Sequence, residues 1–224
     1  MGWKTNVQER EARGMNMSAV AVEETPKIVN APTEVKIDLA CGQSCREGFV
    51  GADISPCKGV EHVLNLWQFP WPWETSSVDE LHCSHHIEHI PMVYVERNPN
   101  ECLYHEIPQG KCKDLFVAFM DECWRILKPN GKLTVICPNA RSNRAFQDPT
   151  HRRFIVAESF GYFNKKWRDD NKLDHYGIES DFEISVNPII SQEMTVLHPE
   201  AQARRFNESW NTVHDWHAVL TAVK

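Results

Sequence analysis

No stretch of this 224-residue chain approaches the roughly 18 consecutive apolar residues of a membrane-spanning helix. A membrane is therefore not expected as a partner. The eight cysteines include no Cys-x-x-Cys pair, and Cys83, Cys123 and Cys137 fall inside apolar or periodic segments. They read as reduced, buried thiols of a cytoplasmic protein, not as a disulfide scaffold. The opening run Met1-Gly-Trp-Lys-Thr-Asn6 has no apolar signal core, and Asn6 stands where a myristoylation signal wants Ser or Thr. Positive charge is also scarce, the formal net charge being -7. No broad basic field is present to attract phosphates, so nucleic acid is not favoured as a partner. The densest basic stretches, Arg141-Ser-Asn-Arg144, His151-Arg-Arg153 and Lys165-Lys-Trp-Arg168, leave room for a local basic patch. Internal repeats and low-complexity tracts are absent.

What is present fits one ordinary globular domain. Hydrophobic residues make up 42% and charged residues 25%, as in soluble proteins with a substantial core. Residues 1–33 are polar and without clear alternation, with a helical turn or two expected at 8–13, and read as a loosely docked lead segment. From Glu34 the pattern changes, and residues 34–224 read as the domain. Strands are expected at 34–39, 48–54, 60–66, 78–84 and 132–138, from alternation bounded by glycine and proline. Phe116, Phe119, Met120, Cys123, Trp124 and Leu127 form a three-to-four-spaced stripe, which predicts a helix over 115–127. Lys128-Pro-Asn-Gly131 stops it. Two late strands, 181–186 and 214–223, flank a helix near 199–206. Such alternation predicts an α/β fold with a parallel sheet and helices on both faces.

Open α/β sheets bind ligands at the carboxyl ends of their strands. The first strand ends at Asp38-Leu-Ala-Cys-Gly42, where a glycine admits close backbone approach. Fifteen residues later the second strand ends at Asp53, whose paired acceptors suit two ribose hydroxyls. The run from Ile37 to Ile54 resembles the first motif and acidic loop of class I S-adenosylmethionine-dependent methyltransferases. Three further segments resemble that family in the same order: Asn65-Leu-Trp-Gln-Phe-Pro-Trp-Pro-Trp-Glu-Thr-Ser-Ser-Val-Asp79, Ser84-His-His-Ile-Glu-His-Ile-Pro91, and Phe119-Met-Asp-Glu-Cys-Trp-Arg-Ile-Leu-Lys-Pro-Asn-Gly-Lys-Leu133. The resemblance implies a Rossmann-like, doubly wound, mostly parallel seven-stranded sheet with an antiparallel last strand. It implies S-adenosyl-L-methionine as cofactor. Asp38, Ala40, Cys41 and Gly42 would line the methionine side, Asp53 and Ile54 the ribose, Asn65 and Leu66 the adenine, and Ser84 and His85 the sulfonium end. The chain departs from the family at Ala40 and Ser44, where glycines are usual, and at Asn65, where an acidic residue is common. Gly42 to the second strand is also shorter than the dozen or more residues of a usual crossover. The first crossover helix is therefore expected to be reduced or lost.

The acceptor half is carried by the loop after the fifth strand. Asp148-Pro-Thr-His151-Arg-Arg-Phe154 resembles a segment of small methyltransferases with poorly defined acceptors. His151 is a candidate general base near neutral pH, with Asp148 orienting it or binding a substrate donor. The alternative is a turn or cap at Asp148-Pro149. The aromatics of Glu158-Ser-Phe-Gly-Tyr-Phe163 either pack in the core or wall the acceptor. His85 and His89, four apart, would share a helix face, but the family resemblance accounts for them and Glu88 without a metal, so none is expected. No Asn/Asp-Pro-Pro-aromatic motif and no Pro-Cys nucleophile follow the fourth strand. With the acidic charge, this leans toward a small-molecule, glycan or peptide acceptor. Two other readings stand beside methyl transfer. One is a catalytically inactive cofactor-binding regulatory or partner subunit. The other is a nicotinamide-dependent oxidoreductase, which the missing dinucleotide glycine pattern disfavours.

Overall fold

The computed structural model describes residues 34–96 and 112–224, all within the unit Glu34–Lys224. The turns expected at 8–13 lie outside the described residues. Seven strands form one sheet: β1 (Lys36–Leu39), β2 (Val50–Asp53), β3 (Val60–Val63), β4 (Val78–Ser84), β7 (Leu127–Pro138), β8 (Phe182–Ile190) and β9 (Val213–Ala222), in the order β3-β2-β1-β4-β7-β9-β8. Between β4 and β7 lie a short antiparallel pair, β5 (Tyr94–Glu96) and β6 (Cys112–Asp114), and helix α1 (Leu115–Ile126). Short helices α2 (Arg144–Gln147) and α3 (Lys165–Asn171) precede β8, and α4 (Gln192–Thr195) and α5 (Pro199–Glu208) precede β9. β3, β2, β1, β4 and β7 run parallel, while β9 is antiparallel to both β7 and β8. This is the expected α/β sheet with an antiparallel last strand.

Alternation along each strand sorts the sheet into two faces. Ile37, Leu81, Leu133, Leu220 and Ile184 align across β1, β4, β7, β9 and β8, and Leu39, Cys83, Val135, Ala218 and Val186 form the next row. The first four members of each row are completely buried. Phe119, Met120 and Cys123 of α1, also completely buried, and Phe160 and Phe163 belong to the same core. On the other face Lys36, Glu80, Lys132, Thr221 and Glu183 align. Each is half-buried or exposed, and Lys36 bridges Glu80 at 3.4 Å. Helices on both faces were expected, yet Lys132 and Glu183 are exposed, so no described helix lies over that row.

The crossovers explain part of this. Residues 40–49, between the parallel strands β1 and β2, contain no helix, as their brevity predicted. The six residues 54–59 between β2 and β3 contain none either. α1 starts where the Asp114 carboxylate accepts from the Phe116 N–H at 2.9 Å. It ends at Ile126, but the strand behind it begins at Leu127, earlier than expected. Val78 pairs with Leu127 while Glu80 pairs with Lys132. The Lys128-Pro-Asn-Gly131 turn is thus absorbed into β7 as an irregularity, with Asn130 at φ 64°.

Candidate functional site

The ends of β1 and β2 meet through Asp53. Its Oδ2 accepts from the Gly42 N–H at 2.9 Å and its Oδ1 from the Ser55 N–H at 2.9 Å. A carboxylate has about four lone-pair sites, so two directions remain for a ligand. Gly42 is at φ 56°, and a Cβ added there would meet nothing within 4 Å, so the backbone faces open space. Ile54, beside Asp53, is exposed. These three residues lie together where β1 and β2 end.

Other expected contacts are engaged within the protein. Asp38 is buried, its Oδ1 receiving His82 Nδ1 at 2.8 Å and its Oδ2 the Arg46 N–H at 2.8 Å. It braces the loop. Leu66 is buried in the core, and its carbonyl accepts from Trp71 Nε1 at 3.3 Å. The Asn65 side-chain oxygen accepts from the Trp67 N–H at 3.0 Å, which closes a local turn and occupies one of that oxygen's two lone pairs. The loop itself is docked by Glu122 and Arg125 of α1. Glu122 Oε1 accepts from the Trp71 N–H at 2.7 Å, and Arg125 Nη2 donates to the Trp73 carbonyl at 2.9 Å.

Two non-glycine residues sit in the left-handed region at adjacent strand ends: Ala40 at φ 55° after β1 and His85 at φ 52° after β4. Ala40 occupies one of the positions where the family usually has glycine, and the geometry gives the reason for that glycine, since the left-handed form costs a residue with a Cβ roughly 1–2 kcal/mol. The half-buried Cys41 thiol on the same loop is pushed up to about 12, first by burial and then by the charges of Cys45, Asp38 and Asp53. Ser84 is half-buried at the carboxyl end of β4.

After β4 the chain forms a 3-10 turn, Ile87–His89, not a regular helix. His85 and His89 therefore do not share a helix face. His85 Nδ1 lies 3.2 Å from Glu88 Oε1, and that bond raises the imidazole above its ordinary value against the opposing effect of burial. His86 is pushed down to about 4 by burial.

The 148–154 segment is clamped onto this turn. The Glu88 carbonyl accepts from the Arg152 and Arg153 N–H groups at 2.7 and 3.0 Å. The Arg153 guanidinium donates to the Ile90 and Pro91 carbonyls and to Asp114. Through this clamp His151 and His89 meet edge to face, ring centroids 4.7 Å apart. His151 Nδ1 is 3.0 Å from the Ala145 carbonyl. Asp148 does not bond His151, as its expected orienting role would need. It accepts from the Thr150 N–H and hydroxyl, both at 2.7 Å, and these bonds hold its carboxyl below the usual range. The Thr150 oxygen lies 2.9 Å from His89 Nδ1. Sequence reasoning missed His89 and Thr150 as partners of this segment, because a separation of 61 positions in sequence carries no signal of the contact.

The basic stretches form no free patch. Arg144 pairs with buried Asp215, Arg153 with Asp114, and Lys165 and Lys166 with Asp169 and Asp170. Arg168 is buried and donates to the Tyr162, Ile178 and Ser180 carbonyls. Phe160 and Phe163 lie in the core, whereas Tyr162 is half-buried and meets Trp167 and Tyr176. An exposed aromatic ledge lies instead on Phe146, Phe154 and Trp210, the first two stacked at 4.7 Å. Among the described residues no helix is long and apolar enough to cross a membrane.

No family model and no curated protein matches the sequence. The structure is similar to that of a SAM-dependent methyltransferase from Archaeoglobus fulgidus, with TM-score 0.53 and 16% identity over 85% of this chain and 86% of that one. A second similar structure is an S-adenosylmethionine-dependent methyltransferase from Mesorhizobium loti, with TM-score 0.45 and 11% identity over 84% and 91% of the two chains. At these identities the likeness is one of fold, and it rests on the first of the two. The chain has the Rossmann-like fold of such enzymes.

Proposed function

We propose that this chain is an enzyme that transfers a methyl group from S-adenosyl-L-methionine to an acceptor. The observation that carries the reading is the junction of β1 and β2. There an open left-handed glycine, Gly42, and a carboxylate with two unspent lone-pair directions, Asp53, lie side by side at the carboxyl ends of parallel strands. Asp53 would hold the ribose hydroxyls, with Ile54 beside it. The backbone from Ala40 to Gly42 would approach the methionine end, braced from beneath by Asp38. Asn65 borders the adenine side through its amide nitrogen. Ser84 and His85, at the end of β4, face the sulfonium side. When bound, the cofactor supplies an already activated methyl group, so the protein's task is alignment of the acceptor.

The acceptor side of the reading is the clamp of His89, Thr150 and His151, with Asp148 acting through Thr150. Because the basic stretches are consumed by ion pairs and carbonyls, a small-molecule, glycan or peptide acceptor is favoured over nucleic acid. Calorimetry with S-adenosylmethionine, S-adenosylhomocysteine and NAD tests the reading. Binding of the two sulfur nucleotides but not NAD is expected. Silence from both sulfur nucleotides at millimolar concentration would sink it, and NAD binding alone would replace it with hydride transfer.

A further inference from the structure

The geometry points to a divalent transition-metal site formed by Glu88, His89 and His151. One ligand atom from each of these residues lies within 4.8 Å of the others. The His85–His89 spacing suggested a metal, but none was expected from the sequence because the family resemblance accounted for that pair and Glu88 without one. The fold removes that pair and supplies His151 in its place.

The hydrogen bonds around the three residues decide which atoms are offered. A hydroxyl has one proton. That of Thr150 is directed at the Asp148 carboxylate, 2.7 Å away, so toward His89 the Thr150 oxygen can only accept. His89 Nδ1, at 2.9 Å, must then carry the proton, and its Nε2 keeps a lone pair. A carbonyl only accepts, so His151 Nδ1 donates to Ala145 and its Nε2 keeps a lone pair too. Glu88 is completely enclosed, at 1% exposure. Its Oε1 takes His85 Nδ1, while its Oε2 is buried with no hydrogen-bond partner. The two ring Nε2 atoms and Glu88 Oε2 are thus acceptor sites with no donor among them. Leaving a buried carboxylate oxygen without a partner costs free energy that a cation would remove.

The surrounding bonds have the form that metal-binding imidazoles require. Each ring donates its second N–H, one to a backbone carbonyl and one to a hydroxyl fixed by a carboxylate, which sets ring orientation and tautomer. Two imidazoles and one carboxylate match zinc and other first-row divalent metals. They do not match Mg2+, which prefers an all-oxygen shell. Three protein ligands leave a coordination position open. If the chain is a methyltransferase, that position would receive an oxygen-bearing acceptor. This last step rests on the proposed function, whereas the cation site does not.

The test uses the full-length chain, stripped with chelator and titrated calorimetrically with ZnCl2, MnCl2 and MgCl2. One equivalent of Zn2+ or Mn2+ is expected, with Mg2+ much weaker. Glu88→Gln and His151→Ala should each weaken binding by roughly a hundredfold or more, and Thr150→Val by about ten- to a hundredfold, the range for partners that orient a ligand. His175→Ala, an exposed control, should change nothing. Thr150 lies at the surface, so its variant remains informative if Glu88→Gln fails to fold. Failure of both Zn2+ and Mn2+ to bind would overturn the site, as would affinity unchanged in His151→Ala. A thiolate charge-transfer band in the Co2+-loaded protein would overturn it by assigning the metal to cysteines. Titration of the same sample with S-adenosylmethionine is a separate measurement, so loss of one reading leaves the other standing.

Discussion

The loops after β1 and β2 offer a ligand backbone and one carboxylate, whereas the segments after β4 and β7 offer converging side chains. On the first side, Gly42 and Asp53 stand eleven residues apart and are joined directly by a hydrogen bond. On the second, Glu88 and His89 meet Thr150 and His151 across some sixty residues of chain. Strand register places Asp53, because β1 and β2 pair residue by residue up to Ala52. The second side depends on a clamp, in which two N–H groups and a guanidinium bind one short turn to another. A site made from strand ends inherits the rigidity of the sheet. A site made from clamped turns depends on each clamp bond, and changes there should act on one side only.

The largest effect should come from a residue beneath both sides. The Phe119 ring meets Trp71 of the β3–β4 connection and His86 of the turn after β4. Phe119→Ala should cost about 3–5 kcal/mol of stability in urea denaturation, and it should weaken cofactor and metal binding together. Loss of only one would show that the two sides do not share this support. Next, Asp53→Ala should weaken S-adenosylmethionine binding about tenfold or more by calorimetry. His151→Ala should leave that affinity nearly unchanged and instead lower turnover once an acceptor is in hand. Equal losses of affinity in both variants would erase the division.

Ala40→Gly probes the strain of the cofactor side. Relief of the left-handed Ala should raise stability by up to about 1 kcal/mol, after the entropy glycine loses on folding is set against it. A lower urea midpoint would mean that Ala40 is not strained. The smallest effect concerns thiols. Burial raises Cys41, Cys83, Cys123 and Cys137 above their ordinary value near 9. The folded protein keeps them neutral where the unfolded chain would ionise them. Their contribution is complete below pH 9 and is lost as pH climbs above it. Urea midpoints under reductant should therefore fall from pH 8 to pH 10, and the decline should be shallower in Cys137→Ala. Equal slopes would assign the alkaline loss to other groups.

The fold was legible where pattern is local. Ile37 and Leu39, the α1 stripe and the brevity of residues 40–49 each carried their own evidence, and the seven-stranded, mostly parallel sheet followed from the family resemblance. The second crossover, residues 54–59, is shorter than the first and as free of helix, although only the first was expected to be so. Leu66 lies in the core, which its sequence setting did not reveal, since an apolar residue next to a ligand and one in the core look alike in sequence. Of the roles open to Asp148, orienting His151 is not the one the fold uses, since the folded turn gives its Oδ1 to Thr150.

By itself the sequence determined the sheet, through period-two alternation, and the placing of Gly42 and Asp53 at neighbouring strand ends, through a short loop between paired strands. Such features depend on neighbours in the chain, and periodicity records them. Only the tertiary structure decided that His151 stands beside Glu88 and His89, and which nitrogen each ring presents. Those outcomes depend on where a hydroxyl proton points and on a carbonyl clasped from another segment, and no spacing along one chain encodes them.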